Sequence, residues 1–538
     1  MKRRLVVASA MAVVVSAVFL PGSGVGSSVS GRYARALPAG LAKAIHARLG
    51  PGAIRLNSAA LAVPAPELGL SVSLSADGTT ALVGADGASN GKGAAYIFHV
   101  PDAGSWGSTG MPTAKLMNTP GPTTKQYFGN GVALSADGTT AAIGAPLAGG
   151  GDGLIYMFHV AAEDAWVSSS TPMATLRVSD GLLGFGLALS PDGTTLITGA
   201  PYYDFLYGGA YVFHVASEDA WASTSTPTAT LSYANESPDD AGVGWEVALS
   251  GDGKTALLSD FYNPNGGGAF VYHVSAEDAW ASTTTPDAIL SDASIAGSDV
   301  LGSSVALSSD GRLALLGNDG ANSHTGAVDV FHTSDAAAWA STSAPTATLT
   351  KAGGTANARF GGSVAVSSDG TTAFIGADGV GNNRGAAYIF RVADEGSWVS
   401  SSTPTATLTN SSGHAQDYLG YGLALSADGA TGLAGASGVR FDTGAADVVH
   451  VSDASSWAST STPTAILTVN ALNRCVVPKL KGMKVLAAKA ALVKRSCRLG
   501  TVSRVVHAGG TRGRIFFQSR PPGTRPPVGT KVNVKVKK

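Results

Sequence analysis

Seven aspartates recur 55–60 residues apart along this 538-residue chain, each inside a Ser-x-Asp-Gly segment. Carboxylates in a glycine-containing loop are typical calcium ligands, so calcium binding is the first chemistry to consider. Each segment supplies one carboxylate, whereas calcium needs about six to eight oxygen ligands. We therefore interpret the segments as hairpin turns in which glycine adopts a positive φ. The seven aspartates are Asp77, Asp137, Asp192, Asp252, Asp310, Asp369 and Asp428.

Six histidines also recur at one position of the repeat, and imidazole is a good zinc ligand. In a closed ring of repeats, equivalent positions converge only on the innermost strand. These histidines lie in the third strand-like segment, so we expect packing or surface roles, with no metal and no cofactor. The histidines are His99, His159, His214, His273, His332 and His450, and Arg391 replaces them in the remaining repeat.

Aromatic and acidic residues concentrate where the third and fourth repeats differ from the others. Such residues suit binding of sugar rings or basic peptides, although loops of this kind could also merely cover the rim. Trp245 and Tyr421 follow the glycine that begins a first strand, close to the expected axis. The candidate ligand-binding residues are Tyr202, Tyr203, Asp204, Tyr207, Trp245, Asp260, Phe261, Tyr262 and Tyr421.

Four strand-like segments make up each repeat and position these residues. In the sixth repeat they are 361–367, 371–377, 385–392 and 403–409. A tryptophan precedes every fourth segment, and we interpret the seven tryptophans as blade-packing residues rather than a ligand cage. Four short strands repeated seven times predict an all-β, seven-bladed β-propeller over residues 68–470. The turns between strands one and two are nearly uniform, as are the connections to strand four. The remaining loops differ between repeats, and we call the face that carries them the variable face.

The two ends of the chain differ from the repeats in charge and composition. Residues 471–538 hold 17 Lys or Arg and no acid, whereas residues 68–470 hold 11 basic and 36 acidic side chains, a net charge of 11 − 36 = −25. Residues 1–28 read as a signal peptide, with the alternative of an uncleaved anchor. Residues 29–67 are predicted to form a linker, in which Leu56–Val63 resembles a strand that could close the ring.

The repeat resembles the FG-GAP family, which builds the seven-bladed propeller of integrin α-subunits and of many exported bacterial proteins. The resemblance rests on Phe128-Gly129 and Phe360-Gly361 before strand one, and on Gly144-Ala145-Pro146 and Gly199-Ala200-Pro201 after strand two. Several copies are degenerate, with Leu419, Leu301 or Val243 in place of phenylalanine.

Residues 473–538 resemble a PASTA domain, a small α+β fold. A helix pattern is carried by Val485, Leu486, Ala488, Ala491 and Leu492, and the motif residues are Val477, Pro478, Gly482, Gln518, Pro521, Gly523 and Gly529. The resemblance implies contact with peptidoglycan. Cys475 and Cys497, the two cysteines of a chain that we expect to be exported, are expected to form a disulfide.

These observations predict an exported, non-enzymatic binding or adhesion protein of the bacterial cell envelope. Its expected partners are peptidoglycan or another envelope glycan at the C-terminal domain and a protein or glycan on the propeller. We expect a secreted, cell-wall-associated monomer and no nucleic-acid partner. The alternatives are a carbohydrate-active or phosphoesterase-like enzyme using Asp204, Asp239, Asp240 and Asp260, and a purely structural envelope protein.

Overall fold

The computed structural model describes residues 67–118, 125–179, 182–201, 208–233, 242–261, 266–295, 301–439, 443–469, 477–493, 498–506, 511–522, 524 and 531–538. Residues 1–66 lie outside this part, and with them the expected signal peptide, nearly all of the linker and the Leu56–Val63 segment. Cys475 and Cys497 lie outside it as well, so their disulfide stays a prediction.

Each repeat folds into one antiparallel sheet whose four strands follow one another in sequence order, and we number these sheets as blades 1 to 7. The strands of blades 1 to 4 are β1 (Val72–Leu74), β2 (Thr80–Ala85), β3 (Ala94–His99), β4 (Ala114–Leu116), β5 (Val132–Leu134), β6 (Thr140–Ala145), β7 (Leu154–His159), β8 (Ala174–Leu176), β9 (Leu187–Leu189), β10 (Thr195–Gly199), β11 (Ala210–His214), β12 (Ala229–Leu231), β13 (Val243–Leu249), β14 (Thr255–Asp260), β15 (Ala269–His273) and β16 (Ala288–Leu290). Those of blades 5 to 7 are β17 (Val305–Leu307), β18 (Leu313–Asn318), β19 (Ala327–His332), β20 (Ala347–Leu349), β21 (Val364–Val366), β22 (Thr372–Ala377), β23 (Ala386–Arg391), β24 (Ala406–Leu408), β25 (Leu419–Leu425), β26 (Thr431–Ala436), β27 (Ala445–His450) and β28 (Ala465–Leu467).

Short helical turns occupy the connections between strands. One-turn α-helices follow the second strand at Ala88–Gly91, Ala321–His324 and Val380–Asn383. Single 3-10 turns occur at Ala103–Ser105, Ala148–Gly150, Glu163–Ala165, Glu218–Ala220, Glu277–Ala279, Ala336–Ala338, Glu395–Ser397 and Ala454–Ser456. All but Ala148–Gly150 of these 3-10 turns lead directly into the repeated tryptophan.

The blades form a closed ring around their first strands. The first strand of each blade contacts those of both neighbouring blades, and the circle closes through β25 and β1. Residues of the second strands are buried throughout, because each second strand is covered by a neighbouring blade on both faces. The chain is therefore a seven-bladed β-propeller, as the repeats predict.

Two glycine backbones meet at the inner part of nearly every blade interface. A Cβ added at the glycine near the end of strand two would lie 1.7–2.2 Å from the carbonyl oxygen of the next blade's first-strand glycine. The pairs are Gly84–Gly129, Gly144–Gly184, Gly199–Gly244, Gly317–Gly361, Gly376–Gly420 and Gly435–Gly69. Blade 4 carries Ser259 instead, and its hydroxyl accepts a hydrogen bond from the Glu246 amide at 2.9 Å.

The outer edge of every blade is covered by the next blade. A residue shortly after each repeated tryptophan forms a parallel bridge with the fourth strand of the preceding blade, for example Ser169 with Leu116. The same contact closes the ring, because the Thr109 amide donates to Ile466 at 3.0 Å and the Thr468 amide donates to Thr109 at 2.9 Å. No described blade edge is left open to another chain.

The seven tryptophans fasten each fourth-strand connection to the hairpin of its own blade. Every indole Nε1 donates to the carbonyl of the Asp-Gly turn glycine at 2.8–2.9 Å, as Trp166 does to Gly138. The side chains are 4–8% exposed. They are packing residues, which agrees with the sequence interpretation.

A glutamate adds a polar contact between some neighbouring blades. Glu163 of blade 2 accepts hydrogen bonds from the hydroxyls of Thr79 and Thr80 in blade 1 at 2.9 and 2.7 Å. The Thr80 hydroxyl also lies 2.9 Å from His99 Nδ1, so the repeated histidine is engaged within the scaffold. Glu218 makes the equivalent contacts with Thr139 and Thr140 at the next interface.

The C-terminal residues form a separate small sheet with one helix. The sheet order is β29 (Arg498–Val505), β31 (Lys531–Lys537) and β30 (Ile515–Gln518), and the helix is α1 (Val485–Val493). Strand β31 runs parallel to β29 and antiparallel to β30. The Gln518 side chain accepts from the Leu480 amide at 2.7 Å and donates to the Pro478 carbonyl at 3.0 Å.

The helix position agrees with the sequence pattern, except for one residue. Ala488 and Leu492 are fully buried in the apolar cluster that also contains Val534 and Val536 of β31. Leu486 is 81% exposed, so its assignment to the apolar face was wrong. It lies on the solvent side because Val485 and Ala488, three residues apart, already define the buried face.

None of the helices in the described part of the chain is long and apolar enough to cross a membrane.

The glycine contacts give the first prediction. Gly144→Ala should lower the free energy of unfolding by about 3 kcal/mol or more, because its Cβ would lie 2.2 Å from the Gly184 carbonyl oxygen. Gly107→Ala is the matched control, because nothing lies within 4 Å of its added Cβ. Chemical denaturation measures both. Equal stability of the two variants would contradict the contact.

Candidate functional site

The residue after each first-strand glycine lies where the variable face meets the central axis. This position follows from the contacts among the first strands, which form the innermost ring. We call the seven residues at this position the axial mouth. They are Leu70, Asn130, Phe185, Trp245, Ser303, Gly362 and Tyr421.

Two residues of the axial mouth lie within irregular first strands. The register of β13 against β14 shifts between Val243 and Val247, and that of β25 against β26 shifts between Leu419 and Leu423. Trp245 and Tyr421 lie inside these two irregularities. Blades 1, 2, 5 and 6 have the same irregularity, since in blade 2 the Gly129 amide donates to Gly144 and the Gly144 amide donates to Gly131, and likewise in the other three. The irregularity therefore belongs to the scaffold, and the side chain at this position is what differs between blades.

The indole of Trp245 stacks on a neighbouring ring of the axial mouth. The centroids of Trp245 and Phe185 lie 5.2 Å apart with an interplanar angle of 22°. Both side chains are partly exposed, so the pair presents an aromatic surface across blades 3 and 4. A sugar ring or another apolar surface can pack on such a platform.

Tyr421 lies beside a charged group on the opposite side of the mouth. Its side chain is 43% exposed. The Arg359 guanidinium pairs with the Asp378 carboxylate, and the charges of both residues act on the Tyr421 hydroxyl. Burial raises the pKa of Asp378 to about 6, although Arg359 opposes this shift. Tyr421 therefore combines an aromatic face with polar neighbours.

The other candidates divide into buried residues and residues outside the described part. Asp260 is 3% exposed and Phe261 is 6% exposed, so neither presents its side chain at the surface. The Asp260 amide donates to Gly268 at 2.9 Å at the end of β14. Tyr202, Tyr203, Asp204, Tyr207 and Tyr262 lie outside the described residues, as do Asp239 and Asp240 of the enzymatic alternative.

The repeated turn aspartates serve the hairpins. In blade 1 the Ser75 hydroxyl donates to the Asp77 carboxylate at 2.6 Å, and the Thr79 amide donates at 3.0 Å. Partial burial opposes ionisation, but these hydrogen bonds hold the pKa of Asp77 below its ordinary value. Within the described ranges, no three His, Cys, Asp or Glu side chains come together as a metal site.

A repeated side-chain pair between neighbouring blades was missed by the sequence analysis. The residue two positions after the fourth strand of one blade lies next to the third-strand residue of the next blade that stands three positions before the repeated histidine, or before Arg391 in blade 6. In blades 1 and 2 the Asn118 amide donates to the Tyr156 hydroxyl at 3.2 Å. In blades 3 and 4, Tyr233 packs on Phe270 with ring centroids 4.7 Å apart. We call this contact the interblade pair. Aligning the repeats shows the variation, but not which two positions touch.

Two interblade pairs bury a carboxylate. Asp447 is 3% exposed and accepts a hydrogen bond from the Asn410 amide at 2.7 Å. Asp329 is 2% exposed and accepts from the Thr348 hydroxyl at 2.8 Å, with Asp292 of the preceding blade nearby. Burial raises the pKa of each to about 7.

Comparisons with known proteins support the repeat and leave the C-terminal domain unassigned. The FG-GAP repeat family matches residues 345–390, from the last strand of blade 5 through most of the third strand of blade 6. A search of curated proteins finds no match. Among solved structures, a chain of Kuenenia stuttgartiensis hydrazine synthase is 13% identical, with a TM-score of 0.46 over 74% of this chain and 99% of that chain. The FG-GAP match and the seven four-stranded sheets together fit a β-propeller, a fold suited to binding.

The buried carboxyls predict an unusual pH dependence. Folded Asp447 keeps its proton to about pH 7, whereas the unfolded chain releases it near the ordinary value of 3.8. Stability should therefore fall as pH rises from 5 to 7.5, by about 2 kcal/mol for this group. Asp447→Asn should remove that part of the slope in urea unfolding.

Asp278→Asn, which changes an exposed acid of blade 4, is the matched control and should keep the parent slope. If the Asp447→Asn variant showed the same dependence on pH as the parent protein, Asp447 would not be the titrating group.

Proposed function

We propose that the protein is an exported, non-enzymatic binding protein of the bacterial cell envelope, with the axial mouth as its ligand-binding surface. The observation that carries this proposal is the placement of Trp245 and Tyr421. Both occupy the same position of the repeat, and both place a large, partly exposed aromatic side chain at the axial mouth, where four of the other blades carry Leu, Asn, Ser or Gly. A rigid scaffold with individual aromatic residues at one face is typical of a binding module.

The use of the repeated polar residues favours binding over catalysis. The turn carboxylate of Asp77 and the imidazole of His99 are engaged in hydrogen bonds within the scaffold. Arg359 and Asp378 neutralise each other beside Tyr421. The enzymatic alternative then depends on Asp204, Asp239 and Asp240, and hydrolysis of a bound glycan by the purified protein would favour it.

The C-terminal sheet supports contact with an anionic wall polymer. Lys531 and Lys535 are exposed on β31, and the Lys535 ammonium lies 5.3 Å from the Phe517 ring centroid. Phe517 is 46% exposed, so an apolar surface stands beside these charges. We also propose that these C-terminal residues form a PASTA-like domain with a Cys475–Cys497 disulfide. The protein is proposed to be secreted and monomeric.

Soluble envelope oligosaccharides and a lysine-rich peptide are the probes for the axial mouth. At least one of these probes should bind the full chain. The double variant Trp245→Ala with Tyr421→Ala should bind that probe about 30-fold more weakly, because aromatic anchors carry much of the binding energy. Isothermal titration measures the affinity. Val399→Ala, at a 69% exposed residue after Trp398, should leave the affinity unchanged.

Absence of binding to every probe, or an equal loss of affinity in the mouth and control variants, would contradict the axial mouth as a ligand site.

Retention on purified peptidoglycan tests the C-terminal residues separately from the propeller. Lys531→Glu with Lys535→Glu should abolish retention at physiological salt, while the mouth variants should keep it. If the lysine variant were retained like the parent, the wall-contact part of the proposal would fail.

A further inference from the structure

A cavity of about 220 Å³ lies between blades 5 and 6, beneath the loop that joins them. Its walls include Thr325 of blade 5, Lys351 and Thr355 of the joining loop, and Val380 and Tyr388 of blade 6. Phe360, the residue before the first-strand glycine of blade 6, contributes an aromatic wall and is 1% exposed. The axial mouth contributes none of the residues around this cavity.

The cavity lies at the interblade pair of this interface. Lys351 occupies the position that Asn118 holds in blade 1, two residues after the fourth strand, and Tyr388 corresponds to Tyr156. The Lys351 ammonium donates to the Ala352 carbonyl at 2.7 Å instead of reaching the phenol. The Tyr388 hydroxyl has no hydrogen-bond partner among the described residues, although its side chain is 5% exposed.

The lining groups define the chemistry of a ligand. Phe360, Val380 and small residues form an apolar wall, while the Tyr388 hydroxyl and the Lys351 ammonium are hydrogen-bond donors. No carboxylate lines the cavity, although the propeller as a whole is acidic. An unpartnered phenol and a nearby ammonium match the two oxygens of a carboxylate.

We propose that this cavity binds a small amphipathic carboxylate, with its apolar body against Phe360 and Val380 and its head group at Lys351 and Tyr388. The size fits this class, since a dry cavity of about 150 Å³ is enough to hold benzene. The Lys351 side chain is partly exposed and must turn from Ala352 toward the cavity on binding. The site is separate from the axial mouth and goes beyond the proposed function.

Phenylacetate is the probe, titrated into the full chain and followed by ligand-detected NMR and calorimetry. We expect saturable binding, with phenethylamine, which has the same ring and an opposite charge, at least about tenfold weaker. Lys351→Met should weaken phenylacetate binding about tenfold while leaving the cavity open. Lys254→Met, a partly exposed lysine of blade 4, should change nothing.

Lys351→Asn is the sharpest variant, because it recreates the Asn118–Tyr156 pair at this interface. It should abolish phenylacetate binding and raise the melting temperature, as the new amide partners the Tyr388 hydroxyl. Tyr388→Phe keeps the ring and should weaken phenylacetate binding without affecting toluene. The proposal is overturned if phenylacetate does not bind saturably, if phenethylamine binds equally well, or if Lys351→Asn binds like the parent.

Discussion

The close approach of two glycine backbones at the blade interfaces is the constraint on which the propeller depends. The first-strand glycines have φ values of 80–98°, which favour glycine, and their carbonyls lie where the second-strand glycines have no Cβ. Phenylalanine before the first-strand glycine can be replaced by Leu301 or Val243, since any buried apolar side chain fills that place. The glycine has no such substitute, so the degenerate repeats keep it.

The contacts that hold the blades together are the same in every repeat, whereas the side chains at other positions differ. Outer-edge bridges and tryptophan hydrogen bonds repeat in every blade, and they involve the uniform connections to strand four rather than the loops of the variable face. Side chains at the axial mouth and at the interblade pairs can then change from one interface to the next. Asn118–Tyr156 is a hydrogen-bonded pair, Asn410–Asp447 buries a carboxyl, and Lys351–Tyr388 leaves a cavity. The structural repeat thus carries different local chemistries at different interfaces.

Sequence alone was sufficient for the parts of the fold that repeat. The period, the four strands and the packing role of the tryptophans follow from apolar alternation and fixed spacing. The interblade pair could not be predicted, because Lys351 and Tyr388 come together only when two sheets pack face to face. Burial of Asp260 and Phe261 was missed for a similar reason, since the end of β14 looks like an exposed loop in sequence. The solvent position of Leu486 depended on the phase of a short helix.

Closure of the ring within one chain is the central claim, and cross-linking tests it directly. The Ile466 amide donates to the Ser108 hydroxyl at 2.9 Å across 358 residues of sequence. Ser108→Cys and Ile466→Cys, with Cys475 and Cys497 changed to serine, should join through a short bismaleimide within a monomer at low protein concentration. Lys115→Cys with Ser168→Cys tests the same contact between blades 1 and 2 and should react alike. A link that formed only between two chains would contradict closure of the ring by the first and seventh repeats of one chain.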